Sequence, residues 1–455
     1  MGLPKVFYFV MRHFLAGSSN TFPGLDPALP VSFILFGTAV ALFAGTAIAY
    51  LIGASAILTF VAVDKAQFIA VLPQRLFSQL DSFAFLAMPL FIFAGDLMNR
   101  GGVAAALIDF CMSLFGRLKG GLGHVNIATS VFFAGVSGSA TADAAALGNS
   151  LVPEMERRGY TREYAAAITG ASSIIGPIIP PSSIMIFYGA LMGTNVTALF
   201  AAGILPGLLL AAVLMAMNAY FAHRDDHPGG KGMDLPALWP SFRRAVPAML
   251  LPVIILGGTL FGIMTPAEAA AVAVLAALLI GIGYGQLKWA DIRESLVRTG
   301  VMLGGVFILL CAISTFSYIA ALLQWPQAIQ AVVERWGLGP LGYLMLINVI
   351  FLGAGMAMDV KAAVALFAPI FVPAALLMGI DPVHLGIVIC FNITAGLLSP
   401  PLGAVLLILS TVVNMDYWRL IRATLPFFFV EVLILIVLTF VPEISLALPR
   451  ALGLR

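Results

Sequence analysis

From about Leu29 to about Pro449 the chain alternates long apolar runs with short polar interruptions. A hydrocarbon core about 30 Å thick takes roughly 20 residues of helix, so the runs are long enough to be crossings. The pattern predicts helices at about Leu29 to Ala44, Gly45 to Val63 and Phe83 to Met98, then a short polar-flanked stretch from Asn99 to Gly123. Further spans are expected over Ala198 to Phe221, Val246 to Ile263, Pro266 to Gly283, Thr299 to Leu322 and Leu425 to Val441. Four other segments are broken near their middles: at GVSGSATAD (Gly135 to Asp143), at Ser172 to Ser183, at GAGMAMD (Gly353 to Asp359) and at Asn392 to Gly403. The first and third read as re-entrant hairpins. The second and fourth read as helices interrupted by proline, which removes a donor and clashes with the preceding turn.

These breaks recur because the chain is written twice. Leu151 to Pro181 aligns without a gap to Phe371 to Pro401, an offset of 220 residues (371 less 151). Both copies share Val-Pro, a glycine six residues after that proline, and Gly-x-x-x-Pro-Pro. The reading is an all-α polytopic membrane protein of two inverted repeats, each with a hairpin and a broken helix. Its boundaries are an N-terminal interfacial segment 1–30, a first repeat 31–222 (hairpin about 125–152, broken helix about 161–189), a cytoplasmic connection 223–245, a second repeat 246–445 (hairpin about 341–370, broken helix about 382–409) and a C-terminal tail 446–455. An odd number of full crossings per repeat makes the copies point opposite ways. This arrangement puts 15 of the 23 lysines and arginines on one face, which the positive-inside bias makes cytoplasmic. Both termini are then expected outside.

Composition agrees with a membrane solvent: 61% of the 455 residues are hydrophobic and 10% charged, against roughly 45–50% and 25% in soluble domains. The 45 glycines and 27 prolines suit close helix contact in lipid. Cys111, Cys311 and Cys390 are far apart and read as buried thiols. A net charge of +2 and no basic patch with interleaved aromatics give no sign of nucleic acid.

An inverted repeat with broken helices points to a secondary transporter that binds its cargo near the midplane. A helix broken at depth presents free N–H groups on one half and free carbonyls on the other; the first suit a carboxylate, the second a sodium ion. Ser137, Ser139, Thr141 and Asp143 lie at the first break, Ser172, Ser173, Ser182 and Ser183 at the second, Asp359 at the third, and Asn392, Thr394 and Ser399 at the fourth. Oxygen ligands of these kinds fit a hard cation. An ionisable group within a span defaults to function, which singles out Asp143 and Asp359; the competing role for each is a helix N-cap.

The stretches LDSFAFLAMPLFIFAGDLMNRGG (Leu80 to Gly102), GLGHVNIATSVFFAGVSGSATADAAALG (Gly121 to Gly148), SSIIGPIIPPS (Ser172 to Ser182) and GLLSPPLG (Gly396 to Gly403) resemble the large subunit of the tripartite ATP-independent periplasmic (TRAP) transporters, within the ion-transporter superfamily. TPAEAAAVAV (Thr265 to Val274) and GIDPVHLGIV (Gly379 to Val388) are similar to it as well. The resemblance implies an inner-membrane, elevator-type sodium symporter that imports an organic acid such as a dicarboxylate. It also implies two partners, a small four-helix membrane subunit and a soluble periplasmic substrate-binding protein. Ser137, Gly138, Ser139, Ser182, Ser183 and Asn392 are expected on the substrate. Ser172, Ser173, Gly176, Asp143, Gly355, Asp359, Thr394 and Gly396 are expected around sodium, with no organic cofactor. The residues flanking Asp359 (Ala357, Met358, Val360 and Lys361) and the N-terminal extension depart from the family pattern.

Other features carry less chemistry. His223 to His227 reads as a solvated loop, Glu268 as a capping-box partner of Thr265, and His124 and His384 as neutral histidines. A membrane enzyme acting on a lipid-linked substrate would gather carboxylates or histidines at one interface, and a channel needs a continuous polar pore. Neither pattern is present. A stand-alone symporter of the same superfamily is the other reading.

Overall fold

A computed structural model describes residues 48–63, 65–81, 83–229 and 235–454. The expected interfacial segment 1–30 and the span from Leu29 to Ala44 lie outside the described residues. The helices are α1 (Ile48–Ala62), α2 (Leu72–Leu80), α3 (Phe83–Arg100), α4 (Val103–Phe115), α5 (Gly121–Ser137), α6 (Ala140–Arg157), α7 (Arg162–Ser173), α8 (Ser183–Met192), α9 (Val196–Arg224) and α10 (Leu238–Leu260). They continue as α11 (Pro266–Gly283), α12 (Trp289–Leu322), α13 (Trp325–Arg335), α14 (Pro340–Ala357), α15 (Val360–Leu377), α16 (Pro382–Gly396), α17 (Ala404–Val412), α18 (Tyr417–Phe440) and α19 (Glu443–Ala451). Among the described residues, seven of these (α9 to α12, α14, α15 and α18) are long and apolar enough to cross a membrane, and the α3–α4 pair, bent by 67°, passes the same test as one broken span. The chain is an all-helical polytopic membrane protein. Lipid offers no partner to backbone polar groups, so helices that satisfy their own are the only spans open to it.

The chain divides into two compact units. One comprises the described residues before Phe83 with Val301–Leu344 and Val364–Ile380. Within it the Tyr318 ring packs 5.8 Å from Phe60, with the Arg75 guanidinium 4.6 Å above it. Tyr343 donates to the Phe371 carbonyl at 3.0 Å.

The second unit comprises Phe83–Gly300, Met345–Ala363 and Asp381–Arg455. Here α3 lies along α11. A Cβ on Gly101 would stand 3.0 Å from the Gly281 Cα, so only glycine permits this backbone approach. Beside it Arg100 pairs with Asp96 at 3.1 Å and Glu294 at 2.8 Å. Helix α11 opens with the expected capping box of Thr265 and Glu268. Helices α7 and α16 are enclosed by α18, α9, α6 and α8, and every residue of α16 after Pro382 is buried.

Several boundaries differ from the sequence reading, all because apolar content alone set them. The expected connection 223–245 is shorter: α9 runs through Arg224 and α10 already begins at Leu238, its first turns carrying exposed Trp239 and Phe242. The expected tail 446–455 is mostly helix, since α19 buries Ser445, Leu446 and Pro449 and packs on α9. The polar-flanked stretch after Asn99 contains α4, which buries Leu107, Phe110 and Cys111. Helix α12 starts ten residues before Thr299, because Asp291 and Glu294 find Arg100.

Candidate functional site

The first break is two residues wide. Helix α5 ends at Ser137, Gly138 adopts φ +57°, and Ser139, extended, caps α6 by accepting from the Ala142 N–H at 3.5 Å. Gly138 is glycine for a reason besides its φ: an added Cβ would stand 2.7 Å from the Pro181 carbonyl oxygen. The second break runs from Ile174 to Ser182. Short-range bonds from Ile174, Ile175 and Gly176 N–H groups to Ala171, Ser172 and Ser173 carbonyls tighten its start. At its end Ser182 caps α8, accepting from the Met185 N–H at 3.4 Å. Ser183 donates to the Gly138 carbonyl at 3.3 Å, so the two breaks meet tip to tip. The N-termini of α6 and α8 both open here, and such ends favour anions.

At the centre of this cluster Asp143, in the first turn of α6, is fully buried. Ser137 donates its hydroxyl proton to Oδ1, while Oδ2 has no hydrogen-bond partner among the described residues. Gly176 stands against that free oxygen, and a Cβ there would overlap it. A carboxylate oxygen left without a donor, in a buried cradle kept open by a glycine, fits a cation. The nearby hydroxyls fit as well. Ser173 donates to the Gly170 carbonyl at 2.7 Å, which leaves its lone pairs to accept. Ser172 is turned away, donating to Asn126 Oδ1 at 2.8 Å, and Asn126 donates to Thr169 at 2.6 Å. No group of three or more His, Cys, Asp or Glu side chains gathers among the described residues; the polar atoms of this cluster are oxygens, the ligand type that suits a hard ion.

The second copy repeats the backbone and changes the chemistry. Pro180–Pro181 and Pro400–Pro401 are both cis, and the breaks after Ser173 and Gly396 both end at the start of a short helix. Asn392, at the position of Ser172, donates to both the carbonyl and the Oδ1 of Asn348 at 2.9 and 3.0 Å, and Asn348 donates to Thr439 at 2.7 Å. Asn392 Oδ1 has no hydrogen-bond partner among the described residues. Thr394 donates back to the Cys390 carbonyl at 2.6 Å. Gly355 and Gly396 lie against each other: a Cβ on Gly396 would stand 2.8 Å from the Gly355 Cα.

Asp359 is not the counterpart of Asp143. By the offset it matches Ser139, and like Ser139 it stands just before the second helix of its pair, accepting from the Lys361 N–H at 2.9 Å while exposed. The N-cap role weighed against function is the one its side chain occupies. The position matching Asp143 is Ala363, buried. Ser137, Gly138, Ser139, Asp143, Gly176, Ser182 and Ser183 thus form one connected cluster. Asn392, Gly355 and Gly396 gather around the second broken helix, whereas the hydrogen bond of Asp359 is to its own helix start.

Sequence reasoning passed over Asn126, Thr169, Asn348 and Thr439, which anchor the broken helices, and Glu431, fully buried in α18 with both carboxylate oxygens unpartnered among the described residues. A polar residue isolated in an apolar run was the available signal.

Comparison with known proteins fits this architecture. The family described as tripartite ATP-independent periplasmic transporter, DctM component, matches residues 35–444. The C4-dicarboxylate TRAP transporter large permease protein of Pseudomonas aeruginosa is 36% identical over 88% of this chain and 93% of its own. The sialic acid TRAP transporter large permease protein of Vibrio cholerae is 35% identical over 91% and 97%. Among solved structures, the Alcanivorax borkumensis YdaH transporter, described as having an unusual topology, superposes with a TM-score of 0.63 at 15% identity, covering 92% of this chain and 99% of its own; that likeness concerns the fold. The chain belongs to the DctM-component family of tripartite ATP-independent periplasmic transporters, and is a membrane transporter permease rather than an enzyme.

Proposed function

We propose that this chain is the large permease of a secondary transporter that imports an organic acid with sodium across the inner membrane. The observation that carries the sodium is Asp143: a buried carboxylate with one oxygen bound by Ser137 and the other facing empty-handed past Gly176. Gly176 and Ser173 contribute oxygens on the broken-helix side. Thr394, Gly396 and Gly355 offer the corresponding oxygens in the second copy. The substrate carboxylate meets the N-termini of α6 and α8, where Ser137, Gly138, Ser139, Ser182 and Ser183 converge, with Asn392 contributing from α16. The two relatives are named for a C4-dicarboxylate and for sialic acid, both carboxylates.

In this reading the repeats 31–222 and 246–445 run in opposite directions through the membrane, with both termini outside, and the broken helices travel with their hairpins in an elevator movement. A small membrane subunit completes the permease and a periplasmic binding protein delivers the substrate. The test is reconstitution in liposomes with a co-expressed small subunit and candidate binding protein, following radiolabelled organic acids with and without an inward sodium gradient. Uptake that requires both sodium and the binding protein, and falls in Asp143→Asn, supports the reading. Uptake indifferent to both favours a stand-alone carrier and removes the sodium role of Asp143.

A further inference from the structure

A groove of about 440 Å³ runs along α10. Phe242, Val246 and Val253 line it from α10, while Phe132 and Gly135 of α5 and Ile179 of the second break form its other wall. Helix α10 is an apolar span with Leu250, Val253 and Ile254 turned outward, so the groove opens sideways into the hydrocarbon. At one end the surface changes character. Trp239 is 71% exposed, Arg244 makes only a loose pair with Asp109 at 3.9 Å, and Arg243 is exposed and makes no ion pair among the described residues. Trp and Arg at the end of a span mark the headgroup level.

We propose that this groove holds one acyl chain of an anionic phospholipid whose phosphate rests on Arg243. Dimensions select the occupant. From Phe242 to Leu256 the groove extends about 21 Å at 1.5 Å per residue, enough to run from headgroup level past the middle of a core roughly 30 Å thick. The groove is open along one side and lined by apolar side chains, a surface that a hydrocarbon chain can follow along its length. The unpaired guanidinium supplies the preference for negative charge. The groove's far wall, Gly135 with Ile179 and Pro180, is the outer side of the two breaks that meet at Gly138 and Ser183, so the bound chain supports the candidate site from behind. The assignment depends on membrane embedding alone and stands apart from the sodium and substrate roles above.

The experiment quantifies lipid retained by the purified full-length chain after detergent exchange in equimolar phosphatidylglycerol and phosphatidylcholine, by mass spectrometry. The expected result is about one retained phosphatidylglycerol per chain, favoured about fivefold over phosphatidylcholine, as about 1 kcal/mol per basic residue near an anionic surface gives. Arg243→Gln, on the surface, brings the ratio near one while the chain stays monodisperse. Val246→Phe, which fills the groove, reduces retention of both lipids. Retention that follows the bulk mixture in the unaltered chain, or that Arg243→Gln leaves unchanged, overturns the proposal. So does stoichiometric displacement of the lipid by an added small membrane subunit, which makes the groove a protein interface.

Discussion

Gly176 leaves open the space that the second carboxylate oxygen of Asp143 faces, and it comes from a different element than the acid it accommodates. Adding one methyl there is expected to displace the carboxylate, at about 1–3 kcal/mol for overpacking. Gly176→Ala should therefore raise the sodium concentration for half-maximal transport about tenfold with near-normal yield. Asp143→Asn should do at least as much, because it removes a charge-assisted contact worth about 1.5–3 kcal/mol. Sodium titrations of uptake check both; unchanged sodium dependence in Asp143→Asn removes the cation from this cradle.

Asp359 should behave differently. Its side chain caps α15 from an exposed position, and asparagine caps as well as aspartate. Asp359→Asn is expected to leave thermal stability within a few tenths of a kcal/mol, while Asp359→Ala loses about 1 kcal/mol. Melting curves of the purified chain distinguish a cap from an ion ligand, since a ligand would lose sodium-induced stabilisation in both variants.

Asn348 holds two elements at once, accepting from Asn392 on α16 and donating to Thr439 on α18. Asn348→Ala strands a buried amide and costs about 1–3 kcal/mol. In a double-mutant cycle with Thr439→Val the two losses should fall short of additive, as they do for residues in contact. Strict additivity in the unfolding data would mean that the bond contributes nothing.

The connection after α9 carries a pH response. His227 packs 4.3 Å from the Tyr164 ring and 5.1 Å from Tyr160, and its Nδ1 is buried without a hydrogen-bond partner among the described residues. Burial lowers its pKa from the ordinary 6.5; Asp225 opposes this and Lys119 reinforces it. The neutral ring is the folded form, so the unfolded segment takes up a proton first as pH falls. The contribution is present above about pH 6.5 and is lost as pH falls through the lower folded-state value. Hydrogen exchange around residues 225–229 is expected to quicken on acidification, and His227→Phe to abolish that change.

Much of this was legible. Long apolar runs fixed the spans, because lipid imposes a length, and Gly176-Pro177 with Pro180-Pro181 announced the second break. What stayed hidden needed the third dimension. The partners of Asn126 and Asn348 lie on other helices, so no spacing in sequence reveals them. The charged first turns of α12 and the amphipathic helix α13 have no element in the sequence reading because apolar content is its criterion. Asp143 and Asp359 stood out alike as ionisable groups within spans, and only the register that matches the breaks places Asp359 opposite Ser139 rather than opposite Asp143.

That exchange of a serine for an acid gives the paired breaks a polarity. In the first copy a neutral hydroxyl caps the helix start and the acid of the first turn, Asp143, is buried behind it; in the second the acid is itself the exposed cap and the first-turn position is Ala363. In the proposed function a sodium ion at Asp143 would cancel the acid of the first copy, while the exposed carboxylate of Asp359 keeps its charge. Under that proposal a molecule with a single acid group would place it toward Ser139 rather than toward Asp359. A diacid must answer its second charge with something other than the helix start behind Asp359.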